Sequence, residues 1–107
     1  MRKKVGNVYY KNKKFPLWLD NSISIDYITI KIYDDDNIPQ YIVSDLKFNK
    51  KLNSDNDKSI LYAILDLKNV KQKLEEISNF MKADIDYKKV DEFLFKIEKQ
   101  LVVNRIG

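Results

Sequence analysis

The sequence predicts an α+β fold in which β-strands come first and helices follow, all within a single domain of 107 residues. Between residues 23 and 48, apolar residues alternate with polar ones, which is the spacing of β-strands. From Lys58 onward, apolar residues recur every three to four positions, as on one face of a helix. We therefore expect a β-rich portion over residues 1–50 and a helical portion over residues 55–107.

Composition excludes several classes of protein. Hydrophobic residues make up 44% of the chain and charged residues 34%, a balance that allows a folded core. Without cysteine there is no disulfide framework or thiolate metal site, and without histidine the commonest zinc ligand is missing. No window approaches the ~18 apolar residues of a membrane span, and no apolar run follows the basic N-terminus. These features predict a cytoplasmic protein that does not bind a membrane.

The positive charge is concentrated at the N-terminus. The chain has a net charge of +4, and residues 1–19 contain six basic residues and no acidic one. They are Arg2, Lys3, Lys4, Lys11, Lys13 and Lys14. Such a block attracts polyanions and is typical of arms that bind nucleic acid. The alternative is a solvated terminus that keeps the protein soluble.

The N-terminal half is expected to form strands. Residues 5–19 fit two short extended segments around an Asn/Lys turn, and Pro16 argues against a helix there. Tyr9 and Tyr10 are expected to pack in the core. Residues 23–48 then predict a β-hairpin.

The turn of that hairpin contains the acidic run Asp34-Asp35-Asp36. We interpret this run as a solvated turn, because no further ligands for a cation follow at loop spacing.

The C-terminal half is expected to form three helices after a polar linker over residues 49–58. The first helix begins near Lys58, the second covers about 70–81, the third covers about 86–100 with Asp86 as N-cap, and residues 101–107 form a terminal strand. The apolar residues expected to point inward from the second and third helices are Val70, Leu74, Ile77, Phe80, Met81, Val90, Phe93, Leu94, Ile97 and Leu101.

Three stretches of the helical half resemble a known family. They are Ile60-Leu61-Tyr62-Ala63-Ile64-Leu65, Leu74-Glu75-Glu76-Ile77, and Phe93-Leu94 followed by Ile97-Glu98-Lys99-Gln100-Leu101-Val102. In order and spacing they are similar to the three helices and terminal strand of winged helix-turn-helix DNA-binding domains. The resemblance covers residues 58–107. It implies a three-helix winged helix-turn-helix fold whose third helix faces a DNA major groove.

The third helix departs from that pattern, because it carries equal numbers of acidic and basic side chains. DNA affinity comes chiefly from Lys and Arg contacts to phosphates. We therefore expect the six basic residues of the N-terminal segment to make most of the contacts. Lys88, Lys89 and Arg105 would add to them.

The predicted function is the recognition of a specific site in double-stranded DNA, by a homodimer that acts alone or with other DNA-processing proteins. Size, charge and layout are similar to relaxosome accessory proteins that bind the transfer origin of conjugative plasmids, and transcriptional repression is the other role expected. An enzyme is not expected, since histidine, cysteine and a Gly-rich phosphate loop are all missing, and neither is a cofactor. The alternative is a winged-helix adaptor that binds proteins and not DNA. Clustering of the N-terminal charges on one face would favour DNA, and scattering would favour the adaptor.

Overall fold

A six-stranded antiparallel sheet dominates the structure. The structure is a computed structural model that describes residues 1–53 and 58–106, with side chains as far as residue 103. The elements in chain order are β1 (Arg2–Tyr10), β2 (Lys13–Asp20), β3 (Tyr27–Asp34), α1 (Gln40–Asp45), β4 (Asn49–Asn53), β5 (Lys58–Asp66), a 3-10 turn (Leu67–Asn69), α2 (Val70–Phe80), β6 (Lys82–Ile85) and α3 (Tyr87–Ile106). The strands are arranged in the order β4-β5-β3-β2-β1-β6. This architecture is α+β, but it is not a hairpin followed by a three-helix winged helix-turn-helix, so that expectation was wrong.

The first hairpin, β1–β2, forms as predicted for residues 5–19. Its two-residue turn consists of Lys11 and Asn12, with φ angles of 47° and 65°. Two positive φ angles in succession give the turn that matches the twist of adjacent strands. An irregularity between Lys4 and Gly6 then places one extra residue in β1. This bulge allows Val5 and Val8, which are three positions apart, to face the core together.

All the described helices lie on one face of the sheet. The alternate apolar residues that point to this face from β2 and β3 are buried, and they form one cluster with the apolar sides of the helices. The cluster includes Leu17, Leu19, Ile28, Ile30 and Ile32 from the sheet, and Ile42, Val43, Leu74, Ile77, Val90, Phe93 and Ile97 from the helices. The other face of the sheet is covered by no described helix.

The hairpin expected over residues 23–48 is only half correct, because β3 forms but helix α1 replaces the second strand. Pro39 precedes this helix, and its carbonyl accepts hydrogen bonds from the backbone N–H groups of Ile42 and Val43. At the C-terminus, Lys47 takes a φ of 57°, and the N–H of Phe48 donates to the carbonyl of Val43. These two features define a Schellman motif, which ends the helix and turns the chain into β4.

The first predicted helix is also wrong, since residues 58–66 form strand β5 between β3 and β4. Its apolar residues fit a helical spacing because both sides of this strand are apolar. Leu61 and Ala63 are buried on the helical side, and Ile60 is buried on the other. The predicted linker contains β4, while residues 54–57 lie outside the described part of the chain.

The second and third predicted helices are confirmed as α2 and α3. Asp86 caps α3 as expected, because its side chain accepts hydrogen bonds from the backbone N–H groups of Lys88 and Lys89 at 3.1 and 3.2 Å. However, the break between the helices is strand β6, which pairs with β1, and the expected terminal strand is the last part of α3. A strand at the sheet edge therefore separates two helices that a helix-turn-helix would join by a tight turn. Among the described residues, no helix is long and apolar enough to cross a membrane.

Candidate nucleic-acid interface

The side of the sheet that no described helix covers, hereafter the open face, is rich in positive charge. Among the described strand residues, alternation and register place seven basic and three acidic side chains on it, a net charge of +4. The basic residues are Arg2, Lys4, Lys14, Lys31, Lys51, Lys58 and Lys82, and the acidic ones are Asp20, Asp66 and Asp84. The chain as a whole also has a net charge of +4, so the remaining residues balance.

Aromatic rings alternate with these cations across the strands. Lys4 on β1 lies opposite Trp18 on β2, which lies opposite Lys31 on β3, which in turn lies opposite Tyr62 on β5. A second row runs from Lys82 on β6 through Tyr9 to Lys14. Residues that face each other across strands have their Cβ atoms only about 5 Å apart, so each ring has a cation as its neighbour.

Three basic side chains lie over aromatic rings on this face. The Arg2 guanidinium is 4.6 Å from the centre of the Trp18 ring system. The ammonium of Lys51 is 5.4 Å from the Tyr62 ring centre, and that of Lys82 is 5.9 Å from the Tyr9 ring centre. These distances are those of cation–π contacts, which hold the charge at the surface without neutralising it.

One cation on the open face is neutralised by a carboxylate. The Lys31 ammonium lies 2.7 Å from Asp20, and both side chains are largely buried. Burial alone would raise the pKa of Asp20, but hydrogen bonds from Lys31 and Ser22 outweigh it and hold this pKa below its ordinary value. This pair therefore contributes structure to the face rather than free charge.

Five other cations on the open face form no ion pair with a carboxylate among residues 1–53 and 58–103. They are Arg2, Lys4, Lys14, Lys51 and Lys82. Cations that no described carboxylate neutralises create a positive potential that attracts polyanions. The open face thus combines this positive charge with partly exposed aromatic rings.

A cleft of about 710 Å³ lies in the open face near the β1–β2 turn. Its walls include the rings of Trp18 and Tyr33, and its charged lining residues are Arg2, Lys13, Lys14, Lys58, Asp34 and Asp35. Lys13 is paired with Asp35, and Lys50 lies near Asp34. The Arg2 guanidinium donates a hydrogen bond of 3.0 Å to the Tyr33 hydroxyl. The rings of Trp18 and Tyr33 stand at 76° to each other with centres 6.2 Å apart, so they form a corner.

The structure divides the six basic residues of the N-terminal segment. Arg2, Lys4 and Lys14 lie on the open face, whereas Lys3 lies on the helical side beside Lys89, Glu92 and Lys96 of α3. Lys11 occupies the hairpin turn with its ammonium 5.6 Å from the Tyr10 ring centre, and Lys13 forms an ion pair with Asp35 at 3.2 Å. Three of the six basic residues therefore lie on the open face and three do not. This even split favours neither the DNA-binding interpretation nor the adaptor interpretation.

The other predicted contact residues lie elsewhere. Lys88 and Lys89 are exposed in the first turn of α3, on the helical side of the sheet. Arg105 belongs to α3 by its backbone, and its side chain lies outside the described residues.

Sequence reasoning missed most of the open face. Lys51, Lys58 and Lys82 come from strands that were expected to be linker, helix and turn. Tyr9 was expected in the core but lies on the open face, whereas Tyr10 does pack against the core.

The acidic run Asp34-Asp35-Asp36 was expected to form a solvated turn, but it is only partly solvated. Asp34 is buried, and this burial raises the pKa of its carboxyl group. Lys50 lies 2.6 Å from Asp36 and 4.0 Å from Asp34, so an ammonium already occupies this position. Among the described residues, no group of carboxylates is arranged to hold a metal ion.

No family model, curated protein or solved structure matches this chain. The geometry of the open face is therefore the basis for a functional assignment.

Proposed function

We propose that this protein binds nucleic acid through the open face of its sheet. The observation that carries the proposal is the placement, among aromatic rings of the open face, of five cations that form no ion pair with a described carboxylate. Phosphate contacts by such cations supply most of the affinity for nucleic acid. The partly exposed rings among them supply contacts that a purely ionic surface lacks.

The proposal keeps Arg2, Lys4 and Lys14 of the N-terminal segment, which was expected to make most of the contacts, and adds cations from other strands of the sheet. A helix that enters the major groove belonged to the winged helix-turn-helix fold, which the chain does not have. Roles at a plasmid transfer origin or as a repressor stay predictions, and both require binding to duplex DNA. A comparison of binding to single-stranded and to double-stranded DNA tests both roles directly.

Salt dependence tests the proposal, since each phosphate contact to a single strand changes the slope of log K against log salt by about 0.7. Five contacts predict a slope near −3.5, or about a hundredfold loss of affinity between about 50 and 200 mM salt. Substitution of Lys4, Lys14 and Lys51 by Gln is expected to reduce the slope by about two. Fluorescence anisotropy with a labelled oligonucleotide measures both values.

A matched control removes the same charge from the helical side. Lys68, Lys88 and Lys96 are exposed, and their joint substitution by Gln is expected to change the slope little. Equal losses from both triple variants would place the contacts on α3 or make them non-specific. Equally tight binding of polyglutamate at matched charge would favour a protein partner, as in the adaptor interpretation.

We also propose that α3 pairs with α3 of a second copy. Phe95 and Val102 are 56% and 55% exposed and lie seven residues apart, on one side of the helix. In an antiparallel pair centred between residues 98 and 99, Phe95 of each copy lies level with Val102 of the other. Glu98 then lies level with Lys99 of the second copy, so the surface is complementary to itself in charge.

A further inference from the structure

The cleft of the open face has the shape and chemistry of a site for planar rings. Trp18 and Tyr33 meet nearly at a right angle, and the Arg2 guanidinium lies over Trp18 with one hydrogen bond to the Tyr33 hydroxyl. A planar cation held in this way presents its outer face to the cleft. An unpaired nucleobase is a planar ring of the right kind, because bases stack on aromatic side chains and on guanidinium planes.

We propose that this cleft binds the bases of single-stranded nucleic acid, an inference that rests on the proposed function above. One base stacks on the Arg2 guanidinium, which is then held between that base and Trp18. Tyr33 forms the second wall of the corner. Lys14, which also lines the cleft, supplies a contact to a neighbouring phosphate.

A duplex fits this face poorly for two reasons. Six strands at about 4.8 Å spacing make the sheet about 24 Å wide, whereas the major groove of B-DNA is about 12 Å wide and admits a helix or a two-stranded ribbon. In addition, the bases of a duplex are stacked and paired, so that their faces do not reach a ring inside a cleft. A single strand exposes both its base faces and its phosphates.

The other two cation–π pairs suggest the path of the strand. Tyr9 with Lys82 lies near the β6 edge, and Tyr62 with Lys51 lies near the β4 edge, with the cleft between them. A single strand that crosses the β-strands meets a ring and a cation at each of these three positions. Stacking depends on the ring face that all bases share, so binding is expected to tolerate different sequences.

The experiment uses Trp18 as its reporter, because it is the only tryptophan of the chain. The full-length protein is titrated with an oligo(dT) of about eight nucleotides, with an abasic oligomer of equal phosphate number, and with a duplex of the same length. Intrinsic fluorescence reports on the surroundings of Trp18, and anisotropy of labelled ligands reports binding. We expect oligo(dT) to alter Trp18 emission and to bind at least about tenfold more tightly than the abasic oligomer.

A variant pair tests the same point independently. Trp18→Leu is expected to weaken oligo(dT) binding by about tenfold or more while it leaves binding of the abasic oligomer unchanged. Tyr27→Leu is the matched control, since Tyr27 is an exposed ring on the same face that does not line the cleft. Circular dichroism verifies the fold of both variants, and the wild-type titration decides the matter if Trp18→Leu does not fold.

The outcomes separate this inference from the function on which it rests. Equal affinity for oligo(dT) and the abasic oligomer, with unchanged Trp18 emission, would overturn base stacking but leave charge-based binding in place. Tighter binding of the duplex would also overturn it and would favour the roles at a transfer origin or an operator. A lack of binding to any of the three at low salt would overturn both proposals.

Discussion

Gly6 is the residue at which a single added methyl group is expected to do the greatest damage to the sheet. A Cβ atom at this position would lie 2.0 Å from the backbone oxygen of Asp84 on β6. Ordinary contact begins at 3.4 Å, so β6 would have to move by more than an ångström away from β1. The φ angle of Gly6 is not positive, so close approach and not backbone freedom explains the glycine.

The size of the effect follows from what β6 loses. Four residue pairs join β6 to β1, and the N–H of Asp86 extends the ladder with a hydrogen bond of 2.8 Å to Val5. A shift of this size breaks several of these bonds, at about 0.5–1.5 kcal/mol each. Gly6→Ala is therefore expected to lower the free energy of unfolding by about 2–4 kcal/mol, a large part of the 5–15 kcal/mol of a typical domain.

Urea denaturation of the Gly6→Ala variant measures this loss, and amide hydrogen exchange locates it. Protection is expected to fall at β6 and at the start of α3, while β3 and β5 keep the protection that their remaining stability allows. A loss below about 0.5 kcal/mol, which is the range of ordinary surface substitutions, would refute the close packing of β1 against β6.

Four further predictions concern buried charge, turn geometry and assembly. The pKa of Asp20 lies below its ordinary value of 3.8. The ionised carboxylate therefore stabilises the fold above pH 3.8, and this stabilisation is lost as the pH falls through the folded-state pKa. Asp20→Asn should destabilise the protein at neutral pH but not in acid, as urea denaturation across pH would show. The pKa of Asp34 is raised above 3.8 by burial. The stabilisation from its neutral form is therefore present below pH 3.8 and is lost as the pH rises through the folded-state pKa. Asp34→Asn should be more stable than wild type at neutral pH, and equal stability there would contradict the burial argument. Lys47→Gly should raise the stability by about 0.5–1 kcal/mol in the same assay, because glycine accepts a φ of 57° without a steric penalty. Glu98→Lys should weaken dimerisation as measured by sedimentation equilibrium, and adding Lys99→Glu should restore it. A double variant that dimerises as weakly as Glu98→Lys would exclude the antiparallel α3 pair.

The parts of the fold that sequence reasoning predicted are those with one buried side. The β1–β2 hairpin has a turn at Lys11 and Asn12, and α2 and α3 each have a regular apolar stripe. In these elements the spacing of apolar residues matches the single face that the core covers, except at Phe80, which was expected to point inward and is 44% exposed. Periodicity is then a sufficient guide.

The errors arose where local spacing had two solutions. In β5, Ile60 and Leu61 are buried on opposite sides of the sheet, and a run of apolar residues with two buried sides has no strand alternation. In the segment that forms α1, both an alternating and a helical pattern can be drawn through Ile42 and Leu46. Pro39 and the left-handed backbone at Lys47 fix the ends of this helix, and only the second of these was invisible in the sequence.

The open face was half predictable for a related reason. The basic block at the N-terminus was evident, and three of its six residues lie on this face. Their neighbours across the strands come from distant parts of the chain, such as Tyr62 and Lys82, because an antiparallel sheet joins strands that are far apart in sequence. Strand order must be known before such an interface becomes apparent.

The central claim is that the open face, and not the helices, contacts nucleic acid. An NMR titration of the isotope-labelled protein with oligo(dT) tests it most directly, because each backbone amide reports its own surroundings. We predict that shifts concentrate in β1, β2, β3 and β5, with the largest at Trp18 and Tyr33, and that α2 and the first turns of α3 change little. Shifts centred on Lys88 and Lys89, with the open face unchanged, would contradict the claim.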